Sequence, residues 1–497
     1  MSEISFIDTT LRDGQQSLWA LGMKTGAMLG AATQMDRIGF ESIEFFVSIM
    51  IKKYVRELKE NPWTWLREGT KLFRRTRLRN HGGLHGSGAM EKLPQSAMKL
   101  FAERVVSYGV TMTRTSNCWN DFNELRDEVT DLGQIGMDTV VNLIFTVSPR
   151  HSDEYYAQKT REAAAIEPYR ICFKDVGGLL TPERAKSLIP AIMQNAGTVP
   201  VEYHAHCNNG LAPLCYLEAI KHGIASLHTA IPPLANGSSQ PSILNMAKNL
   251  RALGYTPMVD EKAVEPVAKH FVAVADREGL AIGKPFAYDQ SQYLHQVPGG
   301  VISNLRHQLK LVGKEDKLPE TLEEAARVRA DFGYPIMVTP LSQFVVSQAA
   351  INVIVGERYK EVTDQVIQYA LGFWGKEAPA LLEANAKDKI LNRRRAKDWQ
   401  GWTPPDLTLH EVRQKLGATI SDEELLLRLY AGPDAVDALM TNGAPKPRLD
   451  AKQPLLNLIE VLTKKNDCHH IYIRRNGVAL TLGRASENNF AAAIKSN

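Results

Sequence analysis

Eight short β-rich runs, each followed by a stretch with helical spacing, occupy the chain from Ile4 to about Gly254. The runs are ISFIDTT (Ile4 to Thr10), SIEFF (Ser42 to Phe46), RLRN (Arg77 to Asn80) and TMTRTS (Thr111 to Ser116). They continue with TVVNLIF (Thr139 to Phe145), RICFKD (Arg170 to Asp175), VEYHAH (Val201 to His206) and SLHTAI (Ser226 to Ile231). Segments such as LPQSAMKLFAERVVSYG lie between them, with apolar residues at helical spacing and a Gly near the end. Strands alternating with helices imply parallel βαβ units. Eight such units predict an α/β fold, a closed (β/α)8 TIM barrel, over an open doubly wound sheet.

The rhythm changes after Gly254. The predicted organisation is a barrel core over 1–256, a helical domain over 257–405 and a small α+β appendage over 406–497. Two unusual loops interrupt the helical part, HQVPGG (His295 to Gly300) and YPIMVTP (Tyr334 to Pro340). The basic run LNRRRAKDW reads as a solvated helix end, and GWTPPDL as a linker. The tail predicts a helix over Pro454 to Lys464 and a hairpin turning at Asn476-Gly477.

Charge and cysteine usage narrow the function classes. A formal net charge of +4 over 497 residues gives no basic excess for nucleic acid. Five scattered cysteines contain no CxxC pair, so neither a disulfide framework nor a thiolate zinc site is expected. The N-terminal residues lack a leader pattern and no run of 18 apolar residues occurs, so a cytoplasmic protein without direct membrane insertion is expected.

In a barrel of this kind the chemistry sits at the C-terminal ends of the strands. The first end carries Asp8, Arg12, Asp13 and Gln16, and the sixth carries Lys174 and Asp175. The seventh carries His204, His206, Asn208 and Asn209. His204 and His206 are two apart on a strand and face the same side. With Asp13 they form a ligand set suited to Zn²⁺, Mn²⁺ or a similar divalent ion. Lys174 has three readings: a structural lysine, an ion-pair partner of Asp175 or another carboxylate, or a lysine carbamylated by CO2 into an anionic ligand. GGLHGSG (Gly82 to Gly88) also resembles a phosphate cradle. His81 and His85 follow a strand end and are placed to touch substrate. Thr339 on its own reads as a turn threonine before Pro340.

The set DTTLRDGQQS, FKDVGGLLTP, HAHCNNG, HQVPGGVISNL and VTPLSQFVVSQAAINVIVGERY resembles the carboxyltransferase domain of biotin-dependent enzymes. That group includes the pyruvate carboxylase domain, the oxaloacetate decarboxylase α subunit and the central transcarboxylase subunit. The similarity runs from about residue 4 to 445. It implies Asp13, His204 and His206 as ligands of a divalent metal (Zn, Mn or Co), and Lys174 as a carbamylated ligand. It implies Thr339 as the proton shuttle between biotin and the acceptor's enolate, with Ser342 and Gln343 at the biotin ring. It implies Gln16 and Arg79 at a small 2-oxo acid, and His85 joins that substrate site by its place after a strand end. A homodimer is expected by the same resemblance.

Several motifs depart from that pattern. The third strand's LRGxNxxGY is LRNHGGLHGSGA here, and the fourth strand's Phe-Asp is Ser116-Asn117. The seventh loop is HCNNGLAP, and Val346 replaces a Gly. All but the last are expected at the substrate mouth, where they would favour a bulkier or differently charged acceptor than pyruvate or oxaloacetate. Two other readings compete. One is a biotin-independent metal-dependent acyl lyase, suggested by LRDGQQS and HAHCNNGLA and opposed by FKDVGG, HQVPGG and VTPLSQ. The other is a non-catalytic scaffold, opposed by the retained Asp13, Lys174, His204, His206 and Thr339. The nearest match to a biotinyl A/V-M-K-M tip is Ala97-Met98-Lys99-Leu100, inside a predicted amphipathic helix. Biotin is therefore expected on a separate biotinyl carrier, charged by a separate biotin carboxylase, and the tail is a candidate docking element.

Overall fold

The computed structural model describes residues 2–84, 93–403, 405–442, 470–475, 478–486 and 489–496. The expected His85 contact lies outside the described residues, as do most of the glycine-rich loop and the predicted helix over 454–464.

Eight parallel strands close into a barrel: β1 (Glu3–Asp8), β2 (Ser42–Val47), β3 (Arg77–His81), β4 (Met112–Thr115), β5 (Asp138–Ile144), β6 (Arg170–Asp175), β7 (Val201–Ala205) and β8 (Ser226–Thr229). Each pairs with its sequence neighbours, and β1 closes the ring by pairing Asp8 with Ile43 of β2 and with Thr229 of β8. All eight predicted strands are present. The helices follow local rules. Ser152 accepts a hydrogen bond from the Tyr155 amide to start the helix Asp153–Ala164, and Thr181 caps Pro182–Asn195 from the Arg184 amide. Each such cap stabilises its helix by about 1 kcal/mol.

The barrel interior departs from the usual filling of branched apolar side chains. Among the described residues, Met112, Val140 and Cys172 form a small apolar cluster separate from the main core. The buried strand residues Glu44, Arg79, Arg114, Glu202 and His228 instead form ion pairs and hydrogen bonds with one another.

A second apolar core belongs to the helices between Gly299 and Trp399, including Val328, Phe332, Phe344, Val345 and Tyr369. Trp119, from the loop after β4, inserts into it. Its indole N–H donates to the Trp374 carbonyl at 2.8 Å, and its ring stacks on Tyr369 at 6.0 Å. Gly375 makes room: at φ +145 a Cβ there would lie 2.0 Å from the Trp119 Nε1. The flanking helices pack differently. Phe271 of Glu261–Glu278 and Tyr430 of Asp422–Ala431 belong to the barrel's core, against Trp19 and Phe101.

Residues Arg448–Asn497 form a separate compact unit. Its described part is an antiparallel sheet of β9 (His470–Arg475), β10 (Val478–Ser486) and β11 (Asn489–Ser496). Arg475 pairs with Val478, the register expected around Asn476-Gly477. The third strand, with its AAA run, escapes prediction because alanine carries no strand signal. Among the described residues no helix is long and apolar enough to cross a membrane.

Candidate active site

Asp13 lies just past β1, in the turn Thr10–Gly14, and His204 and His206 lie at the end of β7. The three bring ligand atoms within 4.8 Å of one another, and all are buried. His204 Nε2 is 3.3 Å and His206 Nε2 is 3.7 Å from the Asp13 carboxylate. Burial pushes the Asp13 carboxyl up, but Arg12, at 2.9 Å, and the two histidines outweigh it and hold it well below the ordinary carboxylate value. Burial also lowers both imidazoles, favouring the neutral form that offers a lone pair. His206 uses Nδ1 on the Ser238 carbonyl at 2.6 Å, leaving Nε2 for the cluster. The Gln240 amide nitrogen approaches both Nε2 atoms, at 3.5 and 3.2 Å. This donor set, a carboxylate with two neutral imidazoles converging in a buried site, fits a divalent metal.

Lys174 ends β6 beside His204, with which it pairs in register, and is 6% exposed. Burial, reinforced by Arg114 and Arg12, lowers its ammonium to about 8. The ion pair with Asp175 does not form. Both Asp175 oxygens accept backbone amides, from Leu179 at 3.0 Å and Leu180 at 2.8 Å, closing the turn after β6.

Beneath this layer lies a charge network invisible to motif reading. Arg12 Nε donates to Glu44 at 2.8 Å, and Arg114 pairs with the other Glu44 oxygen at 2.5 Å. Burial opposes the Glu44 charge, but Arg114 and Arg12 bring its carboxyl down to about 2. Arg79, expected to hold a 2-oxo acid, is 0% exposed and grips Glu202 through both terminal nitrogens at 2.5 and 3.1 Å. Its guanidinium is thus committed to a carboxylate of the protein. Gln16 is exposed, with its oxygen 3.5 Å from Arg12 Nη1. Glu44, Glu202, Arg114, His228 and Gln240 are absent from the sequence-based expectations. The signal for the charged ones was charge inside apolar strands, such as Glu44 in SIEFFV.

Besides Trp119, two contacts between the cap and the barrel loops involve motifs singled out in the sequence. Thr339 is exposed and precedes the helix Leu341–Val355, and its carbonyl accepts from the Cys118 thiol at 3.3 Å. Ser342 and Gln343 occupy that helix's first turn, where the Ser342 hydroxyl and the Gln343 amide oxygen are buried without hydrogen-bond partners. The second involves Gln296 of HQVPGG. Its amide oxygen accepts from the Thr146 hydroxyl at 2.9 Å, and its nitrogen donates to the Val147 carbonyl at 2.6 Å, just beyond β5. Arg329 donates to the same Thr146 hydroxyl at 3.0 Å.

Three of the unusual residues expected at the substrate mouth organise loops instead. Asn117 accepts the amides of Trp119 and Asp121, an Asx turn. Asn208 donates to the Val176 and Gly177 carbonyls, and Asn209 accepts the Asp289 amide. Each thus ties one polar atom to a loop backbone; Asn117 also donates to Glu124, while Asn208 Oδ1 and Asn209 Nδ2 are buried without hydrogen-bond partners. Ala97 to Leu100 lie inside the helix Gln95–Ser107 with Ala97, Met98 and Leu100 buried, which is not a hairpin tip.

A closed barrel with a metal-type ligand set at its strand ends, under a helical cap, is the architecture of a metal-assisted barrel enzyme. Comparison with known proteins narrows the class. The HMGL-like family model matches residues 3–270, and the conserved carboxylase domain model matches residues 293–448. A pyruvate carboxylase subunit of Methanothermobacter thermautotrophicus is 33% identical over 441 residues, covering 86% of this chain and 76% of that one. The methylmalonyl-CoA carboxyltransferase 5S subunit of Propionibacterium freudenreichii subsp. shermanii is 30% identical over 376 residues, covering 75% and 74%. The carboxyl transferase domain of Rhizobium etli pyruvate carboxylase superimposes with a TM-score of 0.79 at 21% identity, covering 100% of this chain and 89% of that one, a likeness of fold. The chain belongs to the HMGL-like family, in its branch of biotin-dependent carboxyltransferases.

Proposed function

We propose that this chain moves a carboxyl group between carboxybiotin, held on a separate carrier protein, and a small 2-oxo acid. The observation that carries this is the convergence of Asp13, His204 and His206 beside Lys174, with Thr339 held at the barrel mouth through Cys118. Relatives named as carboxylases of pyruvate and of 2-oxoglutarate support the substrate class. Asp13, His204 and His206 would hold a divalent metal, with Lys174 as a fourth ligand once carbamylated. The metal supplies Lewis acidity for the oxygen of an enolate. Lys174 suits carbamylation, because an ammonium lowered to about 8 leaves a substantial share of neutral amine for CO2. Thr339 relays a proton between biotin and the acceptor carbon, and Ser342 and Gln343 offer buried, unpaired oxygens to the biotin ring. The tail unit, with biotin carboxylase and carrier as partners, and a homodimer complete this reading.

The test is exchange of labelled carboxyl between oxaloacetate and pyruvate, and likewise with 2-oxoglutarate, by chelator-stripped protein. Activity is expected only when both a divalent metal and a biotinyl carrier, or free biotin, are restored. Full activity without biotin overturns the carboxyltransferase reading in favour of a lyase.

A further inference from the structure

Behind His204 runs a chain of hydrogen bonds ending on a carboxylate. His228 Nε2 is 2.9 Å from Glu202 Oε1, and His228 Nδ1 is 3.1 Å from His204 Nδ1. Every member is fully buried. The protons on this chain can be placed by elimination. An ionised carboxylate only accepts, so His228 Nε2 carries a hydrogen. The arginines Arg12, Arg79 and Arg114 already face the carboxylates Asp13, Glu44 and Glu202, so an additional imidazolium would be an uncompensated buried charge. A neutral His228 has one proton, so its Nδ1 is an acceptor. Glu44 Oε1 at 3.8 Å is beyond hydrogen-bond reach and is no donor. With His204 Nε2 serving as a metal ligand it must keep its lone pair, so His204 Nδ1 is then the donor to His228.

We infer that Glu202 and His228 are positioning residues that fix the tautomer and ring orientation of His204, presenting its Nε2 as a metal ligand. Arg79 is the anchor of the chain. Its two-pronged grip holds Glu202, whose Oε1 also meets His228 Nε2. Arg79 thus acts on the metal site through Glu202 and His228. Carboxylate–histidine pairing behind a ligating imidazole raises ligand basicity and removes the alternative ring flip.

The inference rests on Asp13, His204 and His206 binding a metal, and its test separates the two. Metal-stripped protein is titrated with Zn²⁺ in competition with a chromogenic chelator, for wild type, His228→Phe and His228→Asn, with folding checked by circular dichroism. Phe fills the space but accepts nothing, whereas the Asn oxygen sits where Nδ1 was. Phe is expected to weaken zinc about 10–100-fold, and Asn, which keeps the acceptor but loses the Glu202 contact, to fall between Phe and wild type. Equal zinc affinity in wild type and the Phe variant, or Asn no better than Phe, overturns the relay. A wild type that binds no zinc overturns the metal reading itself. Should the Phe variant fail to fold, a zinc-loaded crystal structure of the wild type decides. Nε2 ligation with the His204–His228 contact intact supports the relay, and Nδ1 ligation by His204 overturns it.

Discussion

The thiol of Cys118 meets the backbone carbonyl of Thr339 at 3.3 Å, joining the loop after β4 to the start of a cap helix. The contact ties the Thr339 backbone to a barrel loop and does not engage its hydroxyl. Thr339→Ala should lower carboxyl transfer by about 10²–10⁴-fold, the range for removing a positioned proton donor. Its bound metal should match wild type, and Thr339→Ser should recover part of the rate. Exchange kinetics with metal analysis on the same samples check this.

What is legible in the sequence follows from period and motif. β7 displays His204 and His206 on one face because strand side chains alternate, and Asp13 sits in a turn that no apolar pattern disguises. The barrel-lining charges are hidden for a different reason. Glu44, Glu202 and His228 look like interruptions of buried strands until closure brings β2, β3, β4, β7 and β8 around one axis, where each charge meets a partner from another strand. Arg79 looks like a contact for an acid substrate, but its partner is internal. No local window contains Arg79 and Glu202 together.

Lys174 is expected to gain one CO2. Incubation with ¹³C-labelled bicarbonate should give a carbamate carbon resonance in wild type that is absent from Lys174→Ala. The variant should lose metal-dependent exchange to background. A Lys174→Ala enzyme turning over at the wild-type rate would remove the lysine from the ligand set.

Glu44 should dominate part of the acid sensitivity. Its carboxyl is brought from the usual 4.5 to about 2 in the folded state, against burial, by Arg114 and Arg12. A group depressed on folding stabilises fully above its unfolded value, and that stabilisation is lost as pH falls through the folded value. The window therefore runs from about pH 4.5 down to about 2. Glu44→Gln leaves Arg114 and Arg12 without their shared partner and should cost about 3–5 kcal/mol at pH 7. Denaturant unfolding at pH 7 and at pH 3 should show a smaller loss between the two for the variant than for wild type.

Gly375 tests whether the cap and the site are mechanically joined. A methyl group there meets the Trp119 Nε1 at 2.0 Å, on a backbone at φ +145 that other residues rarely adopt. The indole must shift, which breaks its 2.8 Å bond to the Trp374 carbonyl. Overpacking of this kind costs about 1–3 kcal/mol. Trp119 adjoins Cys118, which holds Thr339, so Gly375→Ala should reduce carboxyl transfer while leaving zinc affinity unchanged. Gly133→Ala is the control. It lies in the helix Arg126–Gln134 with nothing within 4 Å of the added carbon. It should stabilise by about 0.5–1 kcal/mol and leave transfer untouched. Equal transfer rates in both variants would mean that Trp119 anchors the cap without setting the position of Thr339.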